Sequence, residues 1–276
     1  MIFFLLGQGA SYGLSTQFIK SSHNKSEVGN LMVFNSAVSL FSLIMNYFFV
    51  RDKPEDLRVS LIPIKSVKEE LVLLGKDFHF ICLMVGSGLH MGIGNYFGII
   101  VEILAKDSGL TAEDASIMGV VTILTGLVSV FNCSLLSSRF GKYKFFVVLC
   151  IGGTLVSYVL YYFAIQSGNF NAAVSVSFIY GLFLLPVYAL PLEQACESTY
   201  PVREILSSGL INSFGQLFSL APLVVSYHFK NRPLICLQIS VFFQLIALIS
   251  VCFSKEELKR KEAETKIKAD LVPSYN

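Results

Sequence analysis

Long apolar runs separated by short polar breaks make up nearly the whole chain. A helix that crosses a bilayer needs roughly 20 mostly apolar residues. Eight segments meet that length: 1–19, 29–50, 77–105, 115–136, 145–165, 172–196, 206–228 and 234–253. The connections are short except for 51–76, a charged linker containing proline. The last stretch, 254–276, is charged (KEELKRKEAETKIK) and is expected to extend the eighth helix into water.

Composition agrees with that pattern. The chain has 276 residues, of which 54% are hydrophobic and 14% charged, and a mean hydropathy of +0.64. Soluble domains carry about a quarter charged residues, so the fold class is an all-α polytopic membrane protein. The net charge of +2 says little, because the charges sit in loops. With no tryptophan, tyrosine must supply any interfacial aromatic belt. The six cysteines lie singly in or beside apolar segments, without disulfide or metal spacing, and read as small buried hydrophobes. The amino terminus lacks a basic n-region and reads as a first spanning helix rather than a leader.

Charge also orients the chain. Placing the 51–76 linker on one side puts sixteen of the 21 basic residues there, including Arg139, Lys142, Lys144, Arg203 and the tail. The positive-inside rule makes that side cytosolic. A sequon at Asn24-Lys25-Ser26 then falls in the first outer loop, where Asn24 is a candidate glycosylation site. The domain plan is 1–50, two helices; 51–76, a cytosolic linker; 77–253, six helices; and 254–276, a cytosolic charged tail.

Polar groups at membrane depth are costly and usually face a cavity or a partner helix. The third segment carries Gly88, Gly92, Gly94 and Gly98, which permit close helix packing or a local break at a binding site. Asn95 with Tyr96 reads as cavity lining, His90 as an interhelical hydrogen-bonding residue, and Glu102 as solvated. In the sixth segment Pro186 and Pro191 each remove a backbone hydrogen bond and bend the helix. Glu193 and Glu197, four apart, repel each other and call for a nearby base, for which Arg139, Lys142 and Arg203 are the candidates. The seventh segment places Ser208, Asn212, Gly215, Gln216 and Ser219 on one polar stripe.

There is no nucleophile with a base, no metal-ligand spacing and no phosphate-binding glycine loop. Neither an enzyme nor a nucleic-acid binder is indicated, and no cofactor or metal is expected.

From Glu193 the sequence ExxxESTYPVREILSSGLINSFGQLF resembles the E-x-x-x-E-x-T-Y-P-x-x-E-x-x-S-S-G-L-x-N-x-x-x-Q motif of the feline leukaemia virus subgroup C receptor-related transporters, a family of major facilitator proteins. Arg51-Asp52-Lys53-Pro54 is similar to that family's basic-proline run. The resemblance implies a major facilitator fold in which these eight helices correspond to helices 5–12 of twelve. Segment 1–50 would close the first bundle, 77–253 would form the second, and an amino-terminal half would be a missing partner. It implies alternating-access transport, across a lipid bilayer, of a small solute such as choline, ethanolamine or a haem-related metabolite. Gln216 would be the cavity glutamine of the eleventh helix. Asn95 and Tyr96 fall where the family places an aromatic residue on the seventh, and Gln8 approximates a polar residue of the fifth. Asn212 joins this substrate-binding set, and Glu193, Glu197, Arg203, Glu204 and Arg139 form the expected cytosolic gate. The loop before Arg139 carries Ser138 where the family has an aspartate, which leaves Arg139 to pair with Glu197. The competing expectations are a non-transporting membrane protein, receptor-like or truncated, and a major facilitator carrier for a different solute.

Overall fold

The computed structural model describes residues 25–49, 66–228 and 233–271. Through them run α1 (Lys25–Phe49), α2 (Val67–Lys76), α3 (Phe78–Asp107), α4 (Ala112–Phe140), α5 (Tyr143–Ser167), α6 (Phe170–Leu184), a 3-10 turn (Leu185–Tyr188), α7 (Leu190–Ser198), α8 (Glu204–His228), α9 (Pro233–Phe253) and α10 (Lys259–Leu271). Among the described residues, five helices are long and apolar enough to cross a membrane: Phe78–Gly98 in α3, α4, α5, the α6–α7 unit Phe170–Ser198, and Leu234–Phe253 in α9. A shorter apolar stretch, Gly29–Met45, lies in α1. α8 has the length of a span, and its stripe of serine, asparagine and glutamine lowers its hydropathy. Gln8, Asn24 and the expected first span fall outside the described residues.

α3 is the central post, with α8 and α9 packed along it; α6 packs on α4 and α5, and α9 closes against α5. The glycines of α3 serve close packing, and the helix runs unbroken through them. A Cβ on Gly92 would meet Ser219 N at 2.9 Å and Gly215 O at 3.0 Å, so the α3 and α8 backbones nearly touch.

The expected bend in the sixth segment is present. The helix breaks into a 3-10 turn at Leu185–Tyr188, between α6 and α7. Pro186 lacks the N–H that would bond the Leu182 carbonyl, and the Ser129 hydroxyl of α4 donates to that carbonyl instead. Inside a bilayer no water is available to do so, and the protein must satisfy its own backbone.

At the other end of the bundle the expected continuous tail helix is not found. α9 stops at Phe253, residues 254–258 are irregular, and α10 packs against α7. The Lys144 ammonium donates to Cys252 O (2.8 Å) and Ser254 O, and His79 Nδ1 donates to Phe253 O at 3.0 Å. These side chains take the terminal carbonyls that another helical turn would have used. The last part of the linker forms α2, with Glu70 and Leu74 buried against the bundle. Gly141, at φ 63°, ends α4 in the left-handed conformation that glycine adopts without strain, which makes the short turn into α5.

A candidate solute cavity and a carboxylate cluster

A cavity of about 350 Å³ opens between α3, α4, α6 and the 3-10 turn, with Gln216 of α8 on its lining. The wall is largely aromatic and aliphatic: Phe97, Val101, Met118, Ile123, Tyr161, Tyr180, Leu184, Leu185 and Tyr188 contribute to it. Its polar side chains are Asn95, Thr122, Gln216 and the tyrosine hydroxyls, and among the described residues no charged one lines it.

The aromatic side is ordered by mutual contact. The Phe97 ring lies 5.1, 4.9 and 4.7 Å, centroid to centroid, from Tyr158, Tyr161 and Tyr180. The hydroxyls of Tyr158 and Tyr180 are 3.0 Å apart, and Tyr161 pairs with Ser177 Oγ at 2.7 Å. Buried hydroxyls with partners cost little, and Phe97, Tyr158, Tyr161 and Tyr180 are each 3% exposed or less, packed against one another behind the cavity surface. Gly94 and Gly98 keep the facing wall of α3 low. Tyr188, brought to the cavity by the broken helix, donates to Asn95 Oδ1 at 2.8 Å and lies 3.2 Å from Met91 O.

Asn95 and Gln216 therefore share one cavity, though they come from segments more than a hundred residues apart. Tyr96, expected to act with Asn95, points away: it is 1% exposed and packs in the main apolar cluster. Successive helical residues are about 100° apart, and at this pair the turn sets Asn95 on the lining and Tyr96 in the core. Asn212 is exposed one turn along α8 from Gln216, outside the cavity lining. Sequence reasoning missed Tyr161, Tyr180 and Tyr188. A chain without tryptophan but with 12 tyrosines, one of them held between two prolines, carried the signal.

A second polar assembly lies where the tail meets the bundle. Glu197 of α7 is buried, its side chain 3% exposed, and its Oε1 lies 3.3 Å from Arg260 Nε. Arg260 Nη1 also holds Glu204, at the start of α8. The backbone N–H of Lys261 donates to the second Glu197 oxygen at 3.3 Å. Lys261 Nζ reaches Ser138 O at 3.2 Å and stands 5.3 Å over the Tyr143 ring. Glu193 is exposed one turn back along α7. Arg203 pairs with the buried Glu70 of α2 at 2.9 Å.

Arg139, the expected partner of Glu197, is exposed and forms no ion pair among the described residues. The base that the two glutamates demanded comes from the tail, because α10 folds back under α7 instead of continuing α9. At the opposite end, Glu102 is exposed as expected and pairs with Lys106 one turn on at 2.7 Å.

The family model of the Major Facilitator Superfamily matches residues 1–222. The "Choline/ethanolamine transporter flvcr2a" of Danio rerio is 24% identical over 251 residues, which is 84% of this chain and 52% of that protein. The "Solute carrier family 49 member A3" of Danio rerio is 30% identical over 149 residues, covering 53% of this chain and 31% of the relative. The "Choline/ethanolamine transporter FLVCR2" of Homo sapiens is 22% identical over 216 residues, or 75% of this chain and 41% of the relative. The chain thus spans about half, or less, of the length of these relatives.

Proposed function

The chain belongs to the Major Facilitator Superfamily, and on that premise we propose that it serves the transport of a small organic amine, of the choline or ethanolamine type, across a membrane by alternating access. The observation that carries this reading is the uncharged aromatic cavity that joins Asn95 to Gln216. A weakly hydrated organic cation is attracted to aromatic faces by their quadrupole, with no need for a buried counter-charge. Tyr188, only half-buried, offers such a ring on the lining, backed by the buried Phe97, Tyr161 and Tyr180, and the two amides supply hydrogen bonds for a hydroxyl or amino head. A haem-related metabolite carries propionates and a far larger ring, and fits an uncharged cavity of about 350 Å³ less well.

In this reading Gln216 and Asn95 contact the solute, while Tyr96 and Asn212 are not part of the contact set. The cytosolic gate consists of Glu193, Glu197 and Glu204 with Arg260 and Lys261, braced by the Arg203–Glu70 pair; Arg139 stands outside it. The tail and the α2 end of the bundle are on the cytosolic side, as the lysine and arginine distribution requires.

The test is uptake of radiolabelled choline, ethanolamine and haem, measured in parallel in cells expressing the chain. Saturable uptake of choline or ethanolamine above vector controls supports the reading. Uptake of haem alone, or of none of the three at confirmed surface expression, overturns it.

A further inference from the structure

We propose that His90 is a positioning residue for the cavity: it clamps the broken α6–α7 segment so that Leu184, Leu185 and Tyr188 stay in the cavity wall. This rests on the reading of that cavity as the solute site and adds what sets its shape.

His90 is buried in the middle of α3, and both ring nitrogens are engaged. Nδ1 lies 2.7 Å from Gln244 Nε2, and Nε2 lies 3.4 Å from the Leu184 carbonyl oxygen. An amide nitrogen only donates, so Nδ1 accepts and the ring proton is on Nε2, directed at Leu184. Gln244 is itself fixed, because the same Nε2 also donates to Ile151 O of α5 at 3.0 Å. One ring therefore ties α3, α9 and α5 to a single carbonyl.

That carbonyl has a special position. Leu184 is the last residue of α6 before the 3-10 turn. Two residues earlier, the carbonyl orphaned by Pro186 is taken by Ser129. The break is thus held by two side chains from two other helices, α3 and α4. Just beyond it the segment supplies Leu184, Leu185 and Tyr188 to the cavity lining. The fit there is tight. A Cβ on Gly94 would meet Leu184 Cδ1 at 2.8 Å and the Tyr188 hydroxyl at 3.0 Å. A small shift of the segment would therefore reshape the cavity and release Asn95 from Tyr188.

A histidine that merely fills the core would be replaceable by an apolar side chain of similar bulk; a clamp needs the N–H. The test compares His90→Leu with His90→Gln, which keeps a donor. Two measurements are made: hydrogen exchange of the backbone amides between Leu185 and Leu192 in the purified full chain, and choline uptake in cells. With one hydrogen bond lost, H90L should exchange roughly tenfold faster in that segment. Its KM for choline should rise several-fold with the maximal rate little changed, and H90Q should restore both. Wild-type exchange and KM in H90L, or H90Q as defective as H90L, overturns the proposal. If the wild-type chain takes up no choline, the solute reading fails and the exchange measurement alone decides the clamp. Should H90L not fold, His90→Met takes its place as the variant without the N–H. Faster exchange in H90M over the same amides supports the clamp, and unchanged exchange overturns it.

Discussion

Arg260 of α10 places its Nε 3.3 Å from Oε1 of Glu197 on α7, and its Nη1 holds Glu204 on α8. A single guanidinium thereby fastens the tail helix across two elements of the bundle. The two pairs differ in environment: the Glu197 side chain is 3% exposed and that of Glu204 58%.

That contrast sets a first expectation. Arg260→Ala leaves the buried Glu197 carboxylate without its counter-charge and should cost about 1–3 kcal/mol, less than a fully buried pair because Arg260 is itself partly exposed. Glu204→Gln breaks only the exposed pair and should cost about 0.5 kcal/mol or less. Thermal melting of the purified variants in detergent measures both. Equal losses would mean that the burial of Glu197 does not govern the tail contact.

The α3–α8 crossing gives a second. Gly92→Ala puts a methyl 2.9–3.0 Å from three α8 backbone atoms, none of which can swing aside. Overpacking of this kind costs about 1–3 kcal/mol. Gly152→Ala on α5 meets nothing within 4 Å and should be neutral or stabilise by up to about 1 kcal/mol through helix propensity. Melting temperatures of the two alanine variants should therefore move apart.

The cavity supplies the third. Gln216→Ala should reduce choline uptake about tenfold, the value of one lost hydrogen bond to a bound solute, with surface expression intact. Asn212→Ala, outside the lining, should stay within about twofold of wild type, well below the value of a lost contact. Flow cytometry of surface protein alongside uptake distinguishes a binding defect from a trafficking one.

The fourth concerns pH. Hydrogen bonds from Lys255 and Lys259, each at 2.7 Å, pull the Glu257 carboxyl down to about 2 from an ordinary 4.5. A lowered carboxylate value means the contribution is complete above about 4.5 and fades as pH falls toward 2. Wild type and Glu257→Gln should therefore melt at different temperatures at pH 7 and converge near pH 2. With a third of that side chain exposed, solvent screening keeps the difference small. A gap that widens on acidification would contradict the assignment.

Much of the fold was legible from one chain of letters. Burial in lipid demands long apolar runs, and these gave the spans from α3 to α9 within a few residues. Pro186 and Pro191 gave the break, because each removes an N–H that no helix can replace. His90 and Glu102 behaved as their types suggest at their depths. The tail did not follow its apparent continuation, since its direction depends on Lys144 and His79, which take the final carbonyls of α9 from across the bundle.

The sequence by itself determined the membrane class, the apolar runs between residues 77 and 253, the polar stripe of α8 and the presence of unpaired carboxylates that needed a base. Each of these follows from local composition and periodicity, which the chain carries residue by residue. Only the tertiary structure decided which base answers Glu197, that Asn95 and not Tyr96 faces the cavity, and that Tyr161 from one segment joins Tyr180 and Tyr188 from the next in its wall. Those outcomes depend on how helices distant in sequence are rotated and set against each other. That rotation is fixed by packing contacts such as Gly92 against Ser219, not by any local pattern.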